Sequence, residues 1–308
     1  MNKSTKTILI TAGICITAGL VISAIAIRLN GKNPAKAATY KQMTANITED
    51  FSNLNVTEIS NSITILPSSD GNVNIEYWDS DEYEHDIRVE GDTLVIEYKD
   101  RGSLYEHINI DIPWLNKGGF EEHDTIIYLP EGEYGNLDIE GVSSDISISD
   151  GYSFGNVSIN TVSGAINTGD SSLNGSVEIN STSGSVSIAN ASESVDINTV
   201  SGNVTLNDSS LSSSLKVNTT SGKVTLNNVS ASFTSVNTIS GNMNFTDFAS
   251  DDTDVGTTSG SLNATVIGSY HISTGTVSGN MNINCDNMLD GAEFSFSSTS
   301  GDLTITQA

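Results

Sequence analysis

One phrase recurs through the second half of this chain. NTVSGNVTLND, from Asn198 to Asp208, is echoed by NTVSGAINTGD from Asn160, NSTSGSVSIAN from Asn180, NTTSGKVTLNN from Asn218 and NTISGNMNFTD from Asn237. GTTSGSLNATV, GTVSGNMNINC and SSTSGDLTITQ follow. Aligned on their Ser-Gly pair, the copies put glycine at Gly164, Gly184, Gly202, Gly222, Gly241, Gly260, Gly279 and Gly301, in steps of 18 to 22 residues, with Ser143-Ser144 one step earlier in the same slot. A steady period near this length marks an array of stacked units, none of which buries a core alone.

The apolar positions say what kind of unit it is. Val195 and Ile197 precede the Ser-Gly pair and Val204 and Leu206 follow it; the next copy has Leu215 and Val217, then Val224 and Leu226, and the previous one Val177 and Ile179, then Val186 and Ile188. Each unit therefore supplies two short strands of alternating pattern with a corner between them, and nothing has helical spacing. A unit this short cannot hold a βαβ crossover. The pattern predicts an all-β, parallel β-solenoid of about 20 residues per coil, with a right-handed path. Variable segments such as NDSSLSSS break the strict sixfold period that a left-handed hexapeptide solenoid requires.

Within the phrase, Ile197 and Val204 both face inward although an odd number of residues separates them, so the chain must bend between them. The corner glycine, Gly202, is the expected place, on the ground that glycine takes positive φ freely. The asparagines Asn160, Asn180, Asn198, Asn218 and Asn237 are expected to stack as an amide ladder that stops where Gly256, Gly275 and Ser297 replace them. The residue before the serine alternates: Val162, Thr182, Val200, Thr220, Ile239, Thr258, Val277, Thr299. Either the array grew by duplicating pairs of coils or neighbours at this corner must differ to pack.

Ahead of the repeats, residues 43–135 read as a β-rich head or cap and residues 136–308 as the solenoid. In the head, Ile63 and Ile65, Val73, Ile75 and Tyr77, Ile87 and Val89, Leu94, Ile96 and Tyr98, and Ile108, Ile110 and Ile112 alternate, with Asp70-Gly71 and Gly91-Asp92 as turns. A linker spans residues 28–42. Ile8 to Ile27 carries no charge and as a helix would span roughly 30 Å, the hydrocarbon thickness of a bilayer. It reads as an uncleaved transmembrane anchor behind a tail of residues 1–7. The rival is a cleavable leader ending near Ala35-Lys36-Ala37, but the apolar run is longer than such leaders use. The short tail and the polar, acidic bulk place the body outside a cell membrane crossed once.

Charge narrows the partners. Six of the twelve basic residues precede the first acid, Glu49, so the rest of the chain sets six basic residues against all 38 acids. Such a body repels nucleic acid and anionic lipid. Cys15 lies in the apolar run and Cys285 in the repeats, which leaves no intramolecular disulfide to expect.

In its anchor, its strand-rich opening and its serial NTxSGxVxL coils, the chain from Thr48 onward resembles a bacterial membrane-anchored β-strand-repeat family of unknown function known as candidate adhesins. The resemblance implies a solenoid at the cell envelope and brings no catalytic residues.

Polysaccharide cleavage, which some solenoids perform, needs clustered acids with basic groups beside them. From Gly151 onward the basic side chains are Lys216 and Lys223, with His271 the sole histidine, and no carboxylate pair recurs in adjacent coils, so no catalytic residue and no cofactor is assigned. The acidic stretches DSDEYEHD (79–86) and DFASDDTD (247–254) have the oxygen donors calcium takes, but match no calcium motif and read as solvated loops. Thr199-x-Ser201 and its copies suggest an ice-binding array, yet parity turns Thr199 inward. The expected function is a non-enzymatic, membrane-anchored, adhesin-like scaffold binding an envelope or surface protein or glycan. Its contact candidates are Tyr77 and Trp78 in the head and the loop aromatics Tyr152, Phe248 and Tyr270. An envelope sensor or regulatory accessory bound to another membrane or wall component is the alternative, and a passive spacer the third class.

Overall fold

A computed structural model of the chain describes residues 39–81, 83–100, 123–286, 288 and 290–308. The apolar run at 8–27, the tail before it, most of the linker and the strand expected at Ile108, Ile110 and Ile112 lie outside these residues. Among the described residues no helix is long and apolar enough to cross a membrane.

The chain opens with β1 (Tyr40–Ile47), β2 (Asn53–Thr57), β3 (Ser62–Pro67), β4 (Val73–Ser80), β5 (Tyr83–Glu90), β6 (Thr93–Asp100) and β7 (Asp124–Leu129). Short strands follow: β8 (Gly132–Tyr134), β9 (Leu137–Glu140), β10 (Ile146–Ile148), β11 (Tyr152–Phe154), β12 (Val157–Thr161), β13 (Ile166–Asn167), β14 (Ser172–Leu173), β15 (Ser176–Ser181), β16 (Val186–Ala189) and β17 (Ser194–Thr199). Three long, bent strands, β18 (Val204–Thr219), β19 (Val224–Thr238) and β20 (Met243–Thr257), lead to β21 (Leu262–Val266), β22 (Tyr270–Thr276), β23 (Met281–Asn284), β24 (Ala292–Ser298) and β25 (Leu303–Gln307).

These strands stack as the parallel solenoid the period predicts. Val177 pairs with Val195 and Ile179 with Ile197, and after the corner Val186 pairs with Val204 and Ile188 with Leu206. Each rung is buried. Side chains of this size contribute about 1.5–3 kcal/mol apiece when removed from water, so one coil's four-residue rung carries much of that coil's stability.

The head is not a separate body. β2 pairs in parallel with both β6 and β9, and β3 with both β7 and β10, so these strands belong to the same column. Among the described residues the antiparallel pairings are β1 with β4, β4 with β7 and β5 with β6, and they close the end. The order along the column is also not the order along the chain. The β2–β3 coil sits inside the β6–β7 coil, and at the far end β24 lies between β20 and β22 while β25 lies between β21 and β23. The β2–β3 and β24–β25 coils are thus each held on both sides.

This inserted coil bears on the alternating slot. Ser300 N–H donates to the carbonyl of Thr258, so two threonine coils are spatial neighbours at that corner. Adjacent coils therefore need not differ there to pack, which favours duplication of coil pairs as the origin of the alternation.

The corner glycines serve a different need from the one expected. Among them only Gly164 has a left-handed φ, +121°. At Gly184, Gly202, Gly222, Gly241, Gly260, Gly279 and Gly301 a Cβ would instead overlap the carbonyl oxygen of the corner glycine in the neighbouring coil. Coils approach so closely at this edge that no side chain fits. The preceding threonine points inward, as parity requires: Thr161, Thr199, Thr219 and Thr238 are buried. The hydroxyls of Thr199, Thr219 and Thr238 accept the N–H of Gly202, Gly222 and Gly241, at 3.1, 3.0 and 2.8 Å, whereas Thr161 Oγ1 donates to the carbonyl of Ser163. A threonine array on the outer surface is thereby excluded for these four.

A second corner carries its own signal. Asn190, Asp208, Asn228 and Asp247 all adopt left-handed backbone, with φ between 47° and 54°. Asn and Asp tolerate this region because their short polar side chains bond locally. Beyond it the chain forms a narrow third face, where β8, β11 and β14 pair in parallel. Asp247→Val should cost about 1–2 kcal/mol, since a β-branched residue resists left-handed φ, whereas Asp247→Gly should leave urea unfolding nearly unchanged.

The amide ladder forms on the outer face of the coils. Asn180 Nδ2 donates to Asn160 Oδ1 at 3.0 Å, Asn198 to Asn180 at 3.1 Å, Asn218 to Asn198 at 3.0 Å and Asn237 to Asn218 at 3.4 Å. Gly256 follows Asn237 in register and ends it. Asn198→Ala breaks two of these bonds and should lower unfolding stability by about 1–2 kcal/mol, checked by urea titration.

Candidate functional site

The antiparallel end of the column holds a cleft. β4 lies between β1 and β7, pairing Gln42 with Trp78 and Glu76 with Ile126. Alternation along β4 sends Ile75 and Tyr77 into the core and leaves Glu76 and Trp78 on the opposite face. There the side chains of Gln42, Glu76, Trp78, His123, Asp124 and Ile126 line a cleft of about 240 Å³. The Trp78 indole stacks on the His123 imidazole at 4.3 Å and an interplanar angle of 11°, and Tyr40 meets the same imidazole edge-on at 4.5 Å. A flat aromatic wall with an amide and two carboxylates at its rim suits a ring that is apolar on one face and hydroxylated at its edge.

Of the contact candidates, Trp78 alone lines this cleft. Tyr77 is buried behind it, its ring edge-on to His85 at 5.0 Å. Tyr152, Phe248 and Tyr270 are also core residues, which corrects the expectation that they stand on outer loops. Tyr152 O–H donates to the carbonyl of Leu129 at 3.3 Å, and burial pushes its phenol far above the ordinary range. Phe248 packs against Phe245 at 5.1 Å and pairs in register with Val229 and Val266. The Tyr270 hydroxyl accepts Ser250 N–H at 3.1 Å, and burial raises its pKa too. Aromatics in the repeats fill wide parts of the column. The Trp78 parity was readable in the sequence, but its partners Gln42, His123 and Asp124 come from distant strands and carried no local sign.

Beneath the cleft lies a buried charged network. His85 Nε2 bonds Glu58 Oε1 and Nδ1 bonds Asp79 Oδ1, each at 2.9 Å, with both the imidazole and the Glu58 side chain fully enclosed. Thr125 Oγ1 donates to the same Glu58 oxygen. Desolvation acts to lower the His85 pKa, but hydrogen bonds and charge from Glu58, then Asp79, outweigh it and hold the imidazole above its ordinary value. With a carboxylate on each ring nitrogen, the imidazolium is the form that donates to both at once.

The first acidic stretch is thus partly structural, not simply a solvated loop. Asp79 serves His85, and Asp86 is held by Lys99 and Arg88, which keep its carboxyl below the usual range. The second stretch forms part of β20, with Phe248 and Thr253 turned inward. Among the described residues no group of three or more His, Cys, Asp or Glu side chains is placed to hold a metal ion.

Comparison with known proteins adds the following. The family model described as Toastrack DUF4097 matches residues 51–216 and again 197–308. No curated protein matches the chain. Among solved structures, a "putative cell adhesion protein" from Clostridium sporogenes aligns with 88% of this chain and 100% of its own at 10% identity, with a TM-score of 0.26. A likeness that loose leaves the functional reading to the residues themselves.

Proposed function

Because the chain belongs to the Toastrack DUF4097 family, whose model matches it twice across the column, we propose that it is a non-enzymatic binding scaffold, adhesin-like in the broad sense, tethered to the cell membrane by the apolar run at 8–27 with its body outside. The observation that carries this reading is the Trp78–His123 stack in the head cleft, bounded by Gln42, Glu76 and Asp124. The recurring phrase is consumed by stacking, with Asn in the ladder, Thr on the glycine N–H and Gly at the close approach, whereas this cleft presents polar and aromatic groups together. Its chemistry suits a sugar ring of an envelope or surface glycan, which would lie on the indole and bond the rim.

The test is retention of the purified full chain on envelope glycans. Trp78→Ala removes the wall while sparing the core behind it, and should weaken retention at least tenfold with thermal unfolding little changed. Equal retention of the two proteins would sink the cleft as the contact. For the tether, the full chain should sediment with membranes after alkaline washing and residues 39–308 should not; recovery of both in the soluble fraction would remove the anchor.

A further inference from the structure

The two ends of the column are finished differently. At the head, antiparallel strands cover the outermost parallel coil, and the edge strand β5 bears Glu84, Asp86, Arg88 and Glu90. Charges on an edge are a standard protection against unwanted pairing. At the other end the outermost coil is β22–β23, and nothing antiparallel covers it among the described residues. Among these residues β22 pairs only with β24 and β23 only with β25, so each leaves one edge of its ladder open.

The core ladder also stops abruptly there. Met281 and Ile283 lie in register with the buried Leu303 and Ile305, so they face the core, yet each is 38% exposed because no further rung lies on them. Val277, at the corner of the same coil, is 85% exposed. All the exposed large apolar side chains among the described residues, Ile267, Val277, Met281, Ile283 and Met288, belong to this end.

Charge indicates what covers it. From Val255 to Cys285 the chain has no Asp, Glu, Lys or Arg, in a protein of net charge −26. Two such acidic bodies repel one another over most of their surfaces. Along β22 and β23 they can meet without burying like charges, the acids of this coil, Asp286 and Asp290, lying beyond these strands. The long stretches outside the description, residues 1–38 and 101–122, join the chain at the opposite end, next to β1 and between β6 and β7.

We propose that the chain dimerises end to end through β23, the edge strand of one copy pairing antiparallel with that of a second copy about a two-fold axis at Asn282. Alternation makes this pairing self-consistent. With Asn282 opposite its own copy, Met281 meets Ile283 of the second copy and Ile283 meets its Met281, so apolar side chains stay on the core side and asparagines outside. One sheet and its core then continue across the joint, and the isologous contact closes instead of growing into a fibre.

Sedimentation of the detergent-solubilised full chain tests this, together with cross-linking in a Cys15→Ser, Cys285→Ala background. The natural chain should sediment as a dimer. Ile283→Lys, which places a cation on each side of the joint, should weaken association at least tenfold while leaving circular dichroism and melting unchanged. Asn282→Cys should give a covalent dimer with a short bis-maleimide, and Asp138→Cys, on β9 in the third coil from the head, should not. Identical sedimentation of the natural chain and Ile283→Lys, as monomers or as dimers joined elsewhere, would overturn the proposal, as would equal cross-linking at both cysteines.

Discussion

Gly222→Ala is expected to destabilise the column by about 3 kcal/mol, at the upper end of what one added methyl costs in a packed interior. The cause is not backbone conformation, because Gly222 has no left-handed φ to protect. A Cβ there would overlap the carbonyl oxygen of Gly202 below and come within 2.9 Å of Thr219 Oγ1, the hydroxyl that accepts Gly222 N–H. Neither neighbour can yield cheaply. The carbonyl belongs to a coil whose own glycine abuts Gly184, and the threonine is buried and bonded. Moving the coils apart would stretch the parallel ladder on both flanking faces, where Val204, Leu206, Leu215 and Val217 make the rung. Gly275→Ala is the matched control: its Cβ would meet nothing within 4 Å, and its φ is not left-handed. Urea unfolding of the two variants should separate them by most of the predicted amount. If Gly222→Ala unfolds with the natural chain, close approach is not what the corner demands.

The same corner shows what the sequence disclosed and where it stopped. Period and parity depend on local spacing, so the coil, its inward pairs Val195 and Ile197 or Val204 and Leu206, the buried Thr199 and the end of the asparagine ladder were all legible. The reason for Gly202 was not, because the oxygen that forbids a side chain belongs to the coil below. Position within the column was equally hidden. The β24–β25 coil carries the same phrase as its predecessors, and nothing in SSTSGDLTITQ says that it inserts beneath the coil that precedes it. Asn190, Asp208, Asn228 and Asp247 recur at a fixed distance after the Ser-Gly pair, and that regularity was a readable sign of the second corner.

The head's network was out of reach for a related reason: Glu58 and His85 meet across 27 residues and Glu58 and Thr125 across 67. Its titration gives the second large effect. The folded pKa of His85 is raised above the ordinary value near 6.5, so the unfolded chain releases that proton first as pH rises. The network's stabilisation is therefore complete below about pH 6.5 and declines as pH climbs through the raised folded value. Above it, a neutral imidazole offers one N–H to two carboxylates, the enclosed Glu58 and the mostly buried Asp79, with the Tyr77 and Tyr98 rings beside it. His85→Leu should impose the full loss at once, about 3–5 kcal/mol, because it leaves the Glu58 carboxylate buried without its cation. It should also flatten the dependence of head stability on pH above 6.5. The paired substitution Glu58→Leu with His85→Leu removes both charges and should recover much of the loss. Thermal unfolding from pH 6 to 9 distinguishes these outcomes, and a natural chain that grows more stable across that range would show that the imidazolium does not hold the head together.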